Sequence, residues 1–176
     1  MRLLTAICLL VVLAATEGHA ARTIEGVVRA VYDGDTILLV TRESSQIKAR
    51  LYGIDAPETA KPDKPGQPFG TAAKMALRSK ILGKKVSAEI VDVDQYQRAV
   101  AVIRYAGRDI NREMVTEGLA WAYRQFLQGP YASEYLTAES RARSRRDGLW
   151  RDATPRPPWE FRQALNGGRQ TGRGHW

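Results

Sequence analysis

Acidic residues in two short segments of this chain could bind a cation and activate a water molecule. The first segment, D-G-D-T, contains Asp33 and Asp35, and the second, R-L-Y-G-I-D-A-P-E, contains Arg50, Asp55 and Glu58. Taken alone, the first segment is also a common turn sequence, in which aspartates bond to nearby amides. Two carboxylates held close together repel each other unless a cation lies between them or one binds a proton. Oxygen ligands of this kind favour hard ions such as Ca²⁺ or Mg²⁺ over zinc.

The strand pattern predicts that the two acidic segments meet. One strand is predicted after the first segment, over residues 36–41, and another over residues 47–54. If these strands pair as a hairpin, their far ends lie side by side and Asp35 becomes a neighbour of Asp55. The loop that follows would then present Glu58 toward the same point.

Two arginines could bind a phosphate group beside these carboxylates. Arg50 lies in the second acidic segment, and Arg98 begins a later strand. A guanidinium matches phosphate through forked hydrogen bonds, and lysine does so less well. Each arginine also has a structural interpretation, since Arg98 could pair with Asp94 and Arg50 with Glu58. In isolation the structural interpretation would be preferred, and only the wider set of motifs favours the chemical one.

The composition limits the available chemistry. The net charge is +8, which suggests a polyanionic partner because Lys and Arg displace counterions from phosphates. The two histidines, His19 and His175, lie near the ends of the chain. Mechanisms that need a core histidine, such as Ser-His-Asp hydrolysis or a His-based zinc site, are therefore excluded. Carboxylates, arginines and tyrosines remain.

Residues 1–20 have the features of a secretory signal peptide. A short positive start precedes an apolar stretch over residues 3–15, and small residues lead to a cleavage site after Ala20. The stretch is shorter than the roughly 20 residues that span a bilayer, and a retained anchor is the alternative. Cleavage would remove Cys8, the only cysteine. We therefore expect a secreted or periplasmic protein without disulfides and without stable membrane association.

The hydrophobic pattern predicts five strands and three helices. The strands are predicted over residues 24–32, 36–41, 47–54, 86–91 and 98–105, and the helices over residues 69–81, 111–118 and 133–148. Asn111 and Ser133 are the expected N-caps of the second and third helices. One helix between the third and fourth strands fits a five-stranded OB-type β-barrel with three α-helices, which is an α+β fold.

The composition changes after residue 153 to a basic segment rich in proline and glycine. We expect one folded domain over residues 21–153 and a mostly disordered tail over residues 154–176. Trp159 and Phe161 could dock the start of this tail onto the domain.

The motifs together resemble the staphylococcal nuclease family. They are D-G-D-T, R-L-Y-G-I-D-A-P-E, D-Q-Y-Q-R, E-G-L-A-W and a closing G-L-W, in the family's order over about residues 24–150. The resemblance implies an OB barrel with three helices and calcium-dependent hydrolysis of phosphodiester bonds in DNA and RNA, with little sequence specificity. We expect the chain to act as a monomer.

The resemblance assigns the acidic residues to metal binding and water activation. Asp35 and Asp55 would be carboxylate ligands of Ca²⁺, and Ala56 would supply its backbone carbonyl. Asp33 would be a supporting carboxylate behind these ligands. Glu58 would hold or deprotonate the attacking water.

The resemblance assigns the remaining site residues to the substrate. Arg50 and Arg98 would bind the scissile phosphate, Tyr96 would contact a neighbouring phosphate, and Tyr123 would border the nucleotide pocket. Packing is the alternative role for both tyrosines. The family's Y-G-R reads Y-Q-R here, so Gln97 replaces a glycine and the turn could change shape.

Two functions of different classes remain open. The first is an exported Ca²⁺-dependent nuclease, and a related nuclease that uses Mg²⁺ is also compatible with the ligand types. The second is a non-catalytic OB-fold module that binds single-stranded nucleic acid by charge and stacking. OB barrels do both, but a binding module has no reason to keep three carboxylates and two arginines together.

Overall fold

The computed structural model describes residues 22–171 of the chain, and side chains as far as residue 166. The predicted signal peptide therefore lies outside the described residues. Within them, no helix is long and apolar enough to cross a membrane.

Eight strands and four helices make up the described chain. The strands are β1 (Arg22–Asp33), β2 (Thr36–Val40), β3 (Gln46–Leu51), β4 (Ile54–Asp55), β5 (Lys85–Val93), β6 (Ala99–Tyr105), β7 (Arg108–Asp109) and β8 (Trp121–Ala122). The helices are α1 (Gly70–Ile81), α2 (Ile110–Thr116), α3 (Pro130–Arg145) and α4 (Pro158–Thr171).

Five of the strands form a closed barrel. They are hydrogen-bonded in the order β3-β2-β1-β5-β6, and a parallel pairing of β3 with β6 closes the ring. The other four pairings in the ring are antiparallel. The ladder of β1 with β2 shifts register twice, between Val28 and Ala30 and between Val31 and Asp33, and such bulges bend and twist a strand. The predicted α+β fold with a five-stranded OB-type barrel is confirmed.

Alternating apolar side chains of the strands fill the barrel, and α1 packs against β1 outside it. Ala49 and Leu51 of β3 are buried, as the alternation predicts. Ala73, Leu77 and Ile81 form the buried stripe of α1. The period of each element thus matches its buried face.

The N-terminus of α2 differs from the prediction. Asp109, not Asn111, is the N-cap, and its side chain accepts a hydrogen bond from the backbone N–H of Arg112. The side chain of Asn111 is fully buried and binds three backbone groups, each at 3.0 Å. It donates to the carbonyls of Tyr52 and Ala101 and accepts from the amide of Ile103, so it joins α2 to two parts of the barrel.

The third helix also begins earlier than predicted. It starts at Pro130, a residue favoured in the first turn of a helix, and Ser133 is an exposed residue inside it. The prediction that Ser133 is its N-cap is therefore wrong.

The motifs E-G-L-A-W and G-L-W meet at two glycines. Gly118 and Gly148 have φ angles of 66° and 52°, and the amide of Leu149 donates to the carbonyl of Gly118. A Cβ on Gly118 would lie 2.2 Å from the carbonyl oxygen of Asp147, and one on Gly148 would lie 2.1 Å from that of Gly118. Only glycine fits either position. These two motifs therefore have a packing role.

The tail contains a helix where disorder was predicted. Helix α4 covers residues 158–171, so the prediction of a mostly disordered segment is wrong for that range. Proline and glycine lowered the expected order, but Pro158 stands at the first position of α4, where proline is tolerated. The ring of Trp159 lies 5.6 Å from that of Trp121 and 5.1 Å from that of Tyr123. The expected docking by Trp159 is confirmed.

Candidate active site

The turn from β1 to β2 and the end of β3 bring the two acidic segments together. Arg50 of β3 is paired with Thr36 of β2, and the amide of Leu51 donates to the carbonyl of Asp35. Asp55 lies just beyond on β4, which pairs with β8. The predicted approach of Asp35 and Asp55 is confirmed.

Arg50 lies between the two aspartates. Its Nη1 is 3.1 Å from Asp35 Oδ2, and its Nη2 is 2.7 Å from Asp55 Oδ1. Asp35 also accepts hydrogen bonds from the hydroxyl of Thr36 and the amide of Ala56. The predicted structural pair of Arg50 with Glu58 is replaced by contacts with both aspartates.

Buried charges compensate one another in this cluster. Burial alone would lower the pKa of Arg50, but the carboxylates of Asp35 and Asp55 raise it above its ordinary value. Asp55 is fully buried, and burial raises the pKa of its carboxyl, although arginines beside it act in the opposite direction. Removal of one partner would therefore leave a costly unpaired charge.

Arg162 of α4 is a site residue that the sequence did not indicate. Its Nη1 lies 3.1 Å from Asp55 Oδ1 and 2.8 Å from Glu58 Oε1, and its Nη2 lies 2.8 Å from Asp55 Oδ2. Three carboxylates, those of Asp35, Asp55 and Glu58, thus face two guanidiniums. Arg162 was missed because it stands 104 residues after Glu58 in a segment expected to be disordered.

The loop after β4 presents Glu58 beside this cluster. The amide of Glu58 donates to Gln67 Oε1 at 3.0 Å, and the amide of Gln67 donates to the carbonyl of Glu58 at 2.8 Å. A Cβ on Gly70 would lie 2.2 Å from the carbonyl oxygen of Glu58, so the start of α1 packs closely against this loop. Gln67 is a second site residue that the motifs did not reveal.

Asp33 fastens the same loop from its other side. Its carboxylate accepts hydrogen bonds from the amide and the hydroxyl of Thr59 and from the amide of Gly34. The pKa of the Asp33 carboxyl lies above its ordinary value. Burial and the charge of Asp35 raise this pKa, and the hydrogen bond from Thr59 partly offsets them. Its contacts agree with a supporting position behind Asp35 and Asp55.

Arg98 lies immediately before β6, which pairs with the strand that carries Arg50. Its Nε is 2.7 Å from Asp94 Oδ2, so the predicted structural pair is present. The guanidinium lies over the ring of Tyr96, which is 70% exposed. Gln97 has a φ angle of 59°, so the turn retains a left-handed residue where the family has glycine. Arg98 and Tyr96 are thus near the site but outside its ion-paired cluster.

Tyr123 lies beside the cluster next to β8. Its ring is stacked on that of Trp159, with an interplanar angle of 2°. The two aromatics line a cleft of about 260 Å³ with Trp121, Arg124 and Arg143. Buried Glu139 also lines this cleft and accepts a hydrogen bond from the amide of Ala122, which holds β8 in place.

The donor atoms fit a hard cation better than a soft one. Among the described residues, no three His, Cys, Asp or Glu side chains converge on one metal position. The two buried aspartates can offer only oxygen, and Ca²⁺ and Mg²⁺ complete their shells with carbonyls and waters. Because the carboxylates outnumber the guanidiniums that face them, the cluster also has an excess of negative charge. Asp35, Asp55 and the carbonyl of Ala56 are the groups that could hold such an ion.

The sequence matches one protein family from β3 to just beyond α3. Residues 48–152 match the family model described as staphylococcal nuclease homologue. The matched segment contains Arg50, Asp55, Glu58 and Arg98, and it ends before α4.

Curated relatives carry related names. The chain is 38% identical to an uncharacterized endonuclease of Haemophilus influenzae over 133 residues, which are 76% of this chain and 70% of that protein. It is 38% identical to a micrococcal nuclease of Shigella flexneri over 149 residues, 79% of this chain and 80% of the relative. A probable endonuclease of Saccharomyces cerevisiae is 38% identical over 127 residues, 68% of this chain and 46% of that protein.

Proposed function

The chain belongs to the staphylococcal nuclease family and is a nuclease, and we propose that it is an exported enzyme that hydrolyses phosphodiester bonds in DNA and RNA with the help of Ca²⁺. The observation that carries the proposal is the contact of Arg50 with both Asp35 and Asp55, beside Glu58. An OB module that only binds nucleic acid has no need to bury two aspartates around an arginine. The oxygen-only donor set supports a hard ion, and the family resemblance favours Ca²⁺ over Mg²⁺.

The carboxylates divide into two tasks in this proposal. Asp35, Asp55 and the carbonyl of Ala56 would hold the ion, which when bound polarises a phosphoryl oxygen and lowers the pKa of a nearby water. Glu58, 22% exposed and held by Gln67 through the backbone, would accept a proton from the attacking water. The new bond joins that oxygen to phosphorus, the bond to the ester oxygen breaks, and solvent protonates the leaving oxygen.

The arginines would stabilise the charge that develops on the phosphate. Arg50 is already fixed by two carboxylates, so its remaining N–H groups need little reorganisation. Arg98 would release Asp94 and bind the phosphate, because phosphate oxygens can accept two parallel hydrogen bonds from one guanidinium. Tyr96 and Tyr123 would contact the adjoining nucleotides, for which the exposure of Tyr96 and the cleft beside Tyr123 give room.

A cleavage assay tests the reaction and the ion together. The chain from Ala21 onward is incubated with plasmid DNA, single-stranded DNA and RNA in Ca²⁺, in Mg²⁺ or in chelator. We expect degradation of all three substrates in Ca²⁺ and none in chelator. Asp55→Asn, purified in parallel, controls for contaminating nucleases. Retarded but intact DNA in every condition would instead support a binding module, and cleavage in Mg²⁺ alone would overturn the choice of Ca²⁺.

Export is a separate part of the proposal and rests on residues 1–20. The full chain is expressed in a Gram-negative host, and periplasm, medium and cytoplasm are assayed for nuclease. We expect activity outside the cytoplasm and a mature N-terminus at Ala21, read by mass spectrometry. A full-length chain that stays in the membrane fraction would support the retained anchor.

A further inference from the structure

Arg162 occupies the space between carboxylates to which the proposed function gives different tasks. Its guanidinium binds both oxygens of Asp55 and one oxygen of Glu58, all within 3.1 Å. Nη2 of Arg50 also donates a hydrogen bond to Asp55 Oδ1, at 2.7 Å. Both carboxylate oxygens of Asp55 are therefore already bound to positive groups.

Arg162 lies on helix α4, which is outside the segment that matches the family model. Trp159 anchors the helix by stacking on Tyr123, and the side-chain amide of Gln67 donates to the carbonyl of Arg156 at 3.0 Å. Trp159 and Arg162 are three residues apart, so they lie on the same face of the helix. One helix face thus covers both the carboxylates and the cleft beside Tyr123.

A guanidinium and a divalent cation would compete for these oxygens. Hydrogen bonds from an arginine stabilise a carboxylate. A cation that coordinates the same oxygens must replace those hydrogen bonds. The proposed function, on which this inference rests, needs Asp55 for the ion and Glu58 for the water. We propose that Arg162 is an autoinhibitory residue, which holds Asp55 and Glu58 until a divalent cation displaces it.

The position of Arg162 allows such displacement. Its side chain is 37% exposed, and α4 lies outside the barrel, so the guanidinium can move into solvent without opening the core. Arg50, in contrast, is paired within the barrel wall and stays in place. The measured association constant for the ion is then the intrinsic constant multiplied by the fraction of molecules in which Arg162 has withdrawn.

Calcium titration of matched variants tests the proposal without any measurement of activity. Isothermal titration compares the wild-type chain with Arg162→Gln and with Arg156→Gln. The second variant removes the same charge from the same segment, but among the described residues the Arg156 side chain bonds to a backbone carbonyl, that of Glu160, and lies over Phe161. We expect Arg162→Gln to bind Ca²⁺ about 5- to 150-fold more tightly than wild type, the usual range for coupled sites. Arg156→Gln should stay within about twofold of wild type, because exposed charges are screened.

Other results of the titration would overturn the inference. Equal Ca²⁺ affinity of wild type and Arg162→Gln would overturn the inference and leave the proposed function intact. Equal gains in both variants would reduce the effect to general charge and overturn it as well. If none of the three chains binds Ca²⁺, the choice of ion in the proposed function fails and this inference fails with it.

A measurement on the wild-type chain removes any dependence on how the variants fold. Nitrogen-15 NMR of arginine side chains reports rotation of the guanidinium of Arg162. In chelator we expect slow rotation, because both Nη groups are bound to carboxylates. Saturating Ca²⁺ should make the rotation fast. Unchanged slow rotation in Ca²⁺ would show that Arg162 is not displaced, and would overturn the proposal.

Discussion

Among single side chains, Arg50 is expected to affect both stability and activity. Its side chain is 18% exposed and is the partner of the buried aspartates Asp35 and Asp55. Arg50→Ala would leave buried carboxylates with reduced compensation, which typically costs about 3 kcal/mol or more in the free energy of unfolding. Urea unfolding in chelator measures this cost. Its place in the motif predicts lower turnover with the fold intact, and the burial of Arg50 adds an expected loss of stability.

Arg104→Ala is the control for this experiment. Arg104 also lies on a barrel strand, but its pair with Glu89 is 3.6 Å long and its side chain is 41% exposed. Its loss should change the free energy of unfolding by less than about 1 kcal/mol. Equal losses for the two variants would show that the Arg50 contacts add little to stability.

Arg98→Ala should lower turnover with little loss of stability. Its ion pair with Asp94 lies in the turn between β5 and β6, so Arg98→Ala should change the free energy of unfolding by no more than about 1 kcal/mol. Loss of a transition-state donor should lower turnover about 100- to 1000-fold. Initial rates of single-stranded DNA cleavage in Ca²⁺ measure the effect. Near wild-type turnover would restrict Arg98 to its structural pair.

The sequence predicted the residues that lie in contiguous motifs and missed those that reach the site through space. Asp35, Arg50 and Asp55 could be placed together because a hairpin joins their segments. Gln67 and Arg162 could not, because their contacts depend on the path of a loop and on the docking of a distant helix. Neither dependence leaves a local pattern of residue types.

Among the helices and strands, α2 shows how a polar residue can join elements. Asn111→Ala would leave the carbonyl of Tyr52 and the amide of Ile103 without this partner in the core, while the carbonyl of Ala101 keeps a hydrogen bond from the amide of Tyr52. We expect a loss of about 3 kcal/mol or more in the free energy of unfolding, since each unsatisfied buried group is costly. Thermal and urea unfolding measure it. Asn166→Ala, at an exposed position of α4, is the matched control.

A loss below about 1 kcal/mol for Asn111→Ala would mean that water replaces the side chain without penalty, which would contradict its joining role. Residue type alone favoured an N-cap at Asn111, because asparagine is common there. Asp109 takes that position, and the side chain of Asn111 instead bonds backbone groups of the turn after β3 and of β6. Local preference identified α2, and tertiary hydrogen bonds decided which residue caps it.

The positive charge of the chain, +8 overall, should dominate its affinity for nucleic acid. Residues 154–176 contribute four arginines against one glutamate. Because Arg162 is bound to carboxylates, the other three arginines of this segment are chosen for substitution: Arg156, Arg169 and Arg173. Replacing these three with glutamine should make the slope of log affinity against log salt shallower by up to about 3.

Fluorescence anisotropy of labelled duplex DNA in chelator, from 50 to 300 mM salt, measures this slope with cleavage suppressed. Keeping Arg162 in the variant avoids a change at the carboxylates. A slope equal to that of wild type would show that the tail arginines do not contact the backbone. The net charge was readable from the sequence, but which arginine is already neutralised was not, because that depends on the docking of α4.

Turnover of Glu58→Gln decides whether this carboxylate cluster is the hydrolytic site. Glutamine keeps the size of the side chain but cannot accept the proton from water. With saturating Ca²⁺, we expect the rate of phosphodiester cleavage to fall about 100-fold or more, while DNA affinity in chelator stays within about twofold of wild type. Cleavage by Glu58→Gln at close to the wild-type rate would contradict the assignment of this carboxylate cluster as the hydrolytic site.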